Sequence, residues 1–204
     1  TANTNYLNTG WSGPSPRSVV DQIKQWLEYE NCEGPTTKHV VEWHSAMFRK
    51  AREAVADLIN SSVEEVSLTQ NTTEGLNVVL NGIRWRAGDE VVTCDLEHDS
   101  VLVPAYILQE RHGVKVRIVS LASDESKERI LEKFKSVIGP HTRLVFVSHV
   151  QYCSGLRLPV RELADMVHSQ GGWLLLDGAQ GVGNVEVDVR AIDCDFYALP
   201  GHKW

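Results

Sequence analysis

Hydrophobic and polar positions follow two alternating patterns over most of this chain. Continuous apolar runs rich in β-branched residues predict strands at 65–69, 90–94, 114–119, 143–150, 173–177 and 195–199. Between them, apolar residues recur at helical spacing and predict helices near 73–85, 99–112, 126–138 and 160–170. Strands that are apolar throughout and alternate with amphipathic helices predict a three-layer α/β/α fold with a mostly parallel sheet.

The N-terminal part of the chain has a different pattern. After an arm containing glycine and proline, helical periodicity predicts two helices, near 17–30 and 37–59. An apolar stripe on the second helix predicts core packing of Val40, Trp43, Met47 and Leu58. We therefore expect an N-terminal arm with helices over residues 1–60 and one large α/β domain over residues 61–204.

Composition narrows the classes of protein that fit. The 204 residues are 42% hydrophobic and 23% charged, which is typical of a globular protein. A formal net charge of -7 disfavours nucleic acid and anionic membranes as partners, and no apolar run approaches the length of a membrane span. Four widely spaced cysteines form no zinc motif, so no metal site is predicted, and free thiols favour a reducing, cytoplasmic location.

Polar or glycine-rich segments follow five of the predicted strands. Ligands of open α/β sheets bind beyond the carboxyl ends of the strands, so these segments are the candidate site. They are TQNTTEG (69–75), DLEHDS (95–100), SHVQYCSG (148–155), DGAQGVGN (177–184) and PGHK (200–203).

Each segment has a functional and a structural interpretation. Asn71 or Thr72 at a helix start could bind a phosphate or simply cap the helix. Asp177 at the end of a buried strand needs a partner, which could be a protonated ring nitrogen, an arginine or a helix N-terminus. His98 could stack on a planar ligand, move protons or form a structural hydrogen bond. The glycines after Asp177 have the pattern G-x-x-G-x-G and not the dinucleotide-binding pattern G-x-G-x-x-G. A dinucleotide site is therefore only a weak alternative.

Lys203 adds an amine to this set. Desolvation can turn a lysine into a nucleophile towards aldehydes, although by itself a solvated lysine is the simpler interpretation. A phosphate-binding helix start, a flat aromatic ring, a buried carboxylate and a late lysine together are what a pyridoxal 5'-phosphate site requires.

The order TQNTTEG, EHDS, DGAQ and GHK resembles the class V aminotransferase family of fold type I pyridoxal phosphate enzymes. The resemblance extends from YLNTGWSGPSP to the last residue. The family includes cysteine desulfurases, cysteine/cystine C–S lyases and isopenicillin N epimerase-like proteins. It implies that the cofactor is pyridoxal 5'-phosphate and that the fold is that of the large domain of these transferases.

The resemblance also implies roles for individual residues. Lys203 would carry the cofactor covalently and move the substrate Cα proton. Asp177 would pair with the pyridinium nitrogen, Gln180 would hydrogen-bond the phenolic oxygen, and His98 would stack on the ring. The phosphate would be held by Thr72, Thr73 and His202.

Two positions depart from the family pattern. Pro200 stands where many relatives have a serine or threonine that contacts the phosphate. Tyr152 stands where cysteine desulfurases usually have a substrate-binding asparagine. Local similarity is greatest to the C–S lyases, which implies removal of the Cα proton of a sulfur amino acid and β-elimination. The alternatives are a cysteine desulfurase, an epimerase-like or aminotransferase activity, or a non-catalytic module that keeps the fold.

In this family the chain continues beyond the lysine. The resemblance therefore implies that residues 61–204 are an incomplete large domain, without the C-terminal small domain. It also implies a small-molecule amino-acid substrate and a homodimer.

Overall fold

A computed structural model describes residues 4–203 as two compact units. One unit comprises residues 4–68 with 202 and 203, and the other comprises residues 69–201. The sheet and the helices that pack on it belong to the second unit. The predicted boundary at residue 60 stays a prediction.

The second unit is built on five parallel strands. They are β1 (Glu90–Cys94), β2 (Lys115–Val119), β3 (Thr142–Ser148), β4 (Trp173–Asp177) and β5 (Phe196–Ala198). Their order across the sheet is β2-β1-β3-β4-β5. Except at β2 and β5, the strands are almost completely buried, as their continuous apolar sequences predict for a sheet covered on both faces.

Helices lie on both faces of this sheet. They are α3 (Thr72–Gly82), α4 (Asp99–His112), α5 (Lys127–Lys135), α6 (Val160–His168) and α7 (Val189–Ile192). Leu76 and Leu80 of α3 join Leu108 of α4 in one core cluster with Phe146 and Leu175 of the sheet. Helix α6 packs on β3 and β4, where Leu174 and Leu176, the neighbours of Leu175, point to the opposite face. The structure thus confirms the predicted α/β fold class.

The strand order fixes where a ligand can bind. The chain runs from β1 outwards to β2 and then returns to the other side of β1 to form β3. The crossover helices after β1 and β3 therefore leave in opposite directions, and a crevice opens between the carboxyl ends of these two strands. The segments that follow β1 and β3 begin at Asp95 and His149.

The first unit contains two helices, α1 (Arg17–Glu33) and α2 (Lys38–Ile59), and a short 3-10 helix (Val63–Glu65). The helices contact each other through Trp26 and Trp43, whose rings stack with centroids 3.8 Å apart. The predicted core stripe of α2 is only partly buried: Val40 is fully buried, but Met47 and Leu58 are 45% and 59% exposed. A layer of two helices has too few neighbouring elements to cover both sides of α2.

Two further elements differ from the sequence prediction. The strand expected at 65–69 is wrong: Val66 is buried, but Leu68 is 42% exposed, and within residues 4–203 no strand pairs with this segment. Helix α7 was not predicted, because four residues are too few to show a helical period. Its start is nevertheless encoded locally, since the Asp188 side chain accepts a hydrogen bond of 2.8 Å from the Ala191 N–H.

Within residues 4–203, no helix is both long and apolar enough to cross a membrane.

Candidate active site

Two helices begin side by side at the carboxyl edge of the sheet. At the start of α3, the Asn71 side chain accepts a hydrogen bond of 2.9 Å from the Glu74 N–H. At the start of α4, His98 Nδ1 accepts one of 3.1 Å from the Ser100 N–H. Helix N-termini carry partial positive charge and free amides, so two of them at one edge favour an anion there.

A chain of hydroxyl contacts joins these two helix starts. Thr73 Oγ1 lies 2.9 Å from Ser100 Oγ, which lies 3.0 Å from His98 Nδ1. Thr73 is exposed, whereas the neighbouring Thr72 is buried. The structure therefore brings the predicted residues Thr73 and His98 together through Ser100. Sequence reasoning did not single out Ser100, although it is the last residue of the EHDS segment.

Asp177 ends β4 and is only 4% exposed. Its Oδ1 accepts a hydrogen bond of 2.8 Å from the Ala179 N–H, and its main-chain oxygen accepts one of 2.9 Å from the His149 N–H. The loop is thereby turned back over the strand end, and Gln180 lies within it, half-buried. The main-chain oxygen of Gln180 accepts a hydrogen bond of 3.0 Å from Asn184 Nδ2.

Glu97 bridges the crevice between β1 and β3. This carboxyl is 4% exposed and accepts hydrogen bonds from the Ser148 N–H at 2.9 Å and from Gln151 Nε2 at 2.7 Å. It also contacts the Ser148 hydroxyl and the Cys94 thiol. Burial raises the pKa of Glu97, and burial together with the nearby Glu97 carboxyl raises the pKa of Cys94. Glu97 directly precedes His98, so the bridge anchors the backbone from which His98 projects.

His149 and the half-buried Tyr197 form a second pair, next to the loop that begins at Asp177. His149 is fully buried, and its Nδ1 lies 3.0 Å from the Tyr197 hydroxyl. Its Nε2 is also buried and has no hydrogen-bond partner among the described residues. Burial, with a smaller effect from the Arg157 charge, lowers the pKa of His149 to about 4. Burial also raises the pKa of Tyr197. Both groups are therefore neutral at pH 7.

The His149 pKa predicts how stability changes with pH. The histidine pKa falls from an ordinary 6.5 to about 4 on folding, so protons bind the unfolded chain more tightly. The contribution of His149 to the free energy of unfolding is complete above pH 6.5 and is lost as the pH falls towards 4. From pH 7 to pH 5 we expect this residue to remove about 2 kcal/mol from the free energy of unfolding.

Urea unfolding at the two pH values checks this expectation. The His149→Gln variant, which has no imidazole, is expected to lose less stability over the same interval than the unmodified protein. Equal losses in the two proteins would contradict it.

The loop that follows His149 turns back towards His98. The Tyr152 ring meets the His98 ring edge-on, with centroids 5.0 Å apart and planes at 84°. Gln151 is 1% exposed and its Oε1 has no partner among the described residues, whereas Tyr152 is 54% exposed. Cys153 is exposed, with its thiol 3.7 Å from the Leu96 carbonyl oxygen. Tyr152 is therefore placed to contact a ligand that lies on His98.

His202 and Lys203 belong to the first unit, and their roles stay predictions. His202 is exposed and Lys203 is half-buried. The backbone of Lys203 approaches Gly13 of the N-terminal arm: a Cβ on Gly13 would lie 3.0 Å from the Lys203 carbonyl oxygen. Along the chain, Lys203 is the fifth residue after the end of β5.

The polar side chains at the carboxyl edge of the sheet fit pyridoxal phosphate. Hydroxyl groups and helix N-termini suit a phosphate, and the imidazole of His98 suits the face of a planar ring. The buried carboxylate of Asp177 suits a protonated ring nitrogen, because opposite charges attract more strongly away from water. In this arrangement Thr72, Thr73 and Ser100 would hold the phosphate, and Gln180 would reach the phenolic oxygen.

Comparison with known proteins agrees with this fit. A family model described as "Aminotransferase class-V" matches residues 5–204. The probable cysteine desulfurase of Methanothermobacter thermautotrophicus is 38% identical over 97% of this chain and 49% of its own length. The cysteine desulfurase of Haloferax volcanii is 35% identical over 97% of this chain and 47% of its own length. The chain thus spans about half the length of the curated relatives it matches.

Solved structures show the same relationship. The cystine C–S lyase C-DES, in complex with its product cysteine persulfide, superposes with a TM-score of 0.93 at 29% identity. That match covers 100% of this chain and 54% of the other. The cysteine desulfurase CsdA of Escherichia coli gives a TM-score of 0.84 at 27% identity, over 96% of this chain and 50% of the other. Another C-DES structure has glycine covalently linked to its pyridoxal phosphate cofactor. These matches confirm the cofactor predicted from the sequence.

Proposed function

The chain belongs to the aminotransferase class-V family, and from this premise we propose that it acts on a sulfur amino acid as a pyridoxal phosphate-dependent C–S lyase. The proposed reaction removes the Cα proton of cysteine or cystine and expels the β-sulfur group. The products are sulfide or a persulfide and an aminoacrylate, which hydrolyses to pyruvate and ammonia. The observation that carries the proposal is the edge-on contact of Tyr152 with His98.

The residues of the site have distinct tasks in this reaction. When bound, the cofactor supplies an electron sink for the negative charge that develops at the substrate Cα. Asp177 keeps a ring nitrogen protonated through its negative charge, and His98 holds the ring plane. The hydroxyls at the starts of α3 and α4 hold the phosphate. The Lys203 amine accepts the Cα proton and can return it to the leaving group.

Tyr152 supports elimination over desulfuration. Desulfurases usually have an asparagine that binds substrate at this position, whereas here an aromatic ring lies at the edge of His98. A phenol ring cannot make the paired hydrogen bonds of an amide, so substrate would be oriented differently. The higher TM-score with the C–S lyase than with CsdA, 0.93 against 0.84, supports the same assignment.

Cysteine desulfurase activity is the second candidate. The sequence relatives carry this name, with up to 38% identity among those compared above. That reaction transfers the substrate sulfur to an enzyme cysteine and leaves alanine. By resemblance, the nucleophilic cysteine of a desulfurase lies in the C-terminal half of such proteins.

Product analysis tests the proposal. Purified protein loaded with pyridoxal phosphate is incubated with cystine or cysteine, and pyruvate and alanine are quantified against a Lys203→Ala control. We expect pyruvate in amounts equal to the substrate consumed, and no alanine. Alanine with protein-bound sulfane sulfur would contradict the lyase assignment and support the desulfurase. An inverted substrate would indicate an epimerase, and no turnover would indicate a non-catalytic module.

A homodimer and a cytoplasmic location are further proposals. On the N-terminal arm, Leu7 and Trp11 are 91% and 77% exposed, and a second copy of the chain could cover such apolar surface. Light scattering coupled to gel filtration would measure the mass. A mass of one chain at micromolar concentration would contradict the dimer.

A further inference from the structure

The loop that carries Asp177 and Gln180 contains three glycines, and they are required for different reasons. Gly183 has a φ of +83°, a conformation that side chains rarely adopt. Gly178 and Gly181 do not have such a φ, so their backbone would accept alanine. What a side chain would meet at these two positions is Tyr197.

The Tyr197 side chain fills the space beside both glycines. A Cβ on Gly178 would lie 2.1 Å from a ring carbon of Tyr197, and a Cβ on Gly181 would lie 2.4 Å from the Tyr197 hydroxyl oxygen. Both distances are far shorter than a van der Waals contact. The loop therefore lies directly on the phenol: Gly178 against the ring and Gly181 against the hydroxyl.

His149 holds this hydroxyl in place. Its Nδ1 lies 3.0 Å from the Tyr197 oxygen, and its backbone N–H donates to the main-chain oxygen of Asp177. Because His149 is fully buried in a packed region, the imidazole has little freedom to move, and the hydroxyl it contacts is fixed with it. The three elements that meet here are the end of β3, the loop after β4, and β5.

We propose that Tyr197 and His149 are positioning residues for the cofactor. They act by fixing the position of the loop from Asp177 to Gly181. This inference rests on the proposed function for the role of Asp177 and Gln180. A displacement of the loop moves the carboxylate and the amide together, whereas the phosphate contacts at α3 and α4 stay in place. The pair is proposed to act through the loop, because the Tyr197 side chain lies against Gly178 and Gly181 and its hydroxyl contacts His149.

Two double-mutant cycles test the proposal. Gly181→Ala is expected to raise the Kd for pyridoxal phosphate about 10- to 100-fold, because the new methyl group displaces the loop by the order of an ångström. In a Tyr197→Phe background the hydroxyl is gone, and the next neighbours of the new Cβ are 3.3 and 3.5 Å away. There Gly181→Ala is expected to raise Kd less than about threefold.

Gly178→Ala is the matched control. Its Cβ would meet ring carbons that phenylalanine keeps, so Tyr197→Phe is expected to give no rescue at this position. In the second cycle, His149→Leu removes the partner of the hydroxyl and is expected to raise Kd several-fold in the presence of Tyr197. In the Tyr197→Phe background it should have a smaller effect, because that hydrogen bond is already absent.

The measurements separate this proposal from the proposed function. Each variant is characterised by Kd, by the visible absorbance maximum of the bound cofactor, and by the urea midpoint of the cofactor-free protein. Rescue of Gly181→Ala by Tyr197→Phe in all three readouts supports the positioning role. Additive effects on Kd, or rescue of the urea midpoint alone, would overturn it. If the unmodified protein binds no pyridoxal phosphate, the proposed function fails and the positioning role fails with it, while coupling in the urea midpoint still identifies the contact.

Discussion

Replacing Lys203 by alanine is expected to abolish the covalent attachment of pyridoxal phosphate. In the unmodified protein, borohydride should fix a pyridoxyl group on the Lys203 peptide, and mass spectrometry of a digest would locate it. The variant should carry no such label and should lose pyruvate formation by a factor of about 10²–10⁴ or more, because it also loses the group that moves the Cα proton. Noncovalent binding through the phosphate contacts at α3 and α4 should persist.

Lys135→Ala provides the control for this experiment. Lys135 is an exposed residue near the end of α5, so its removal should alter neither label nor turnover. A pyridoxyl group found on any other lysine, or unchanged turnover of Lys203→Ala, would contradict the assigned role.

Truncation of Glu97 is expected to have the largest effect on stability. Glu97→Ala removes the acceptor for the Ser148 N–H and for Gln151 Nε2, both of which are buried. Each unsatisfied buried donor costs about 1–3 kcal/mol, so we expect the free energy of unfolding to fall by about 3 kcal/mol or more. The His98 backbone loses its anchor as well, so the affinity for pyridoxal phosphate should decrease with stability.

Urea unfolding and cofactor titration measure both effects. Glu97→Gln keeps one acceptor oxygen and most of the volume, and it should lie between the alanine variant and the unmodified protein. Glu110→Ala, on an exposed position of α4, should change stability by less than about 0.5 kcal/mol. A Glu97→Ala protein as stable as this control would show that the buried bridge is not needed.

Much of the fold could be predicted from the sequence because its strands are buried on both faces. Such strands read as unbroken apolar runs, and the predicted strand at 90–94 coincides with β1. The predicted strand at 65–69 has an equally favourable local sequence but no strand pairs with it among the described residues. Pairing is a property of the whole sheet, and local composition does not contain it.

The site was predicted in outline from where polar segments follow strands. This reasoning identifies residues that a ligand would touch, such as His98 and Asp177. It missed Glu97, which anchors the backbone at His98, and it missed His149 and Tyr197, which contact the loop that begins at Asp177. A buried polar residue that supports another has no periodic or compositional signature, because its partner is distant in the chain: His149 and Tyr197 are 48 residues apart.

The Glu97 bridge also has a consequence for the order of folding. It joins residues that are 51 positions apart, across two strands that pair in parallel. Contacts of this separation form late, since a long loop must close before they contribute. The half of the cofactor site that contains His98 therefore cannot take shape until β3 has docked on β1. Pyridoxal phosphate should bind only chains that have completed this step. During synthesis it would therefore stabilise the chain after the sheet has formed and would not stabilise earlier folding intermediates.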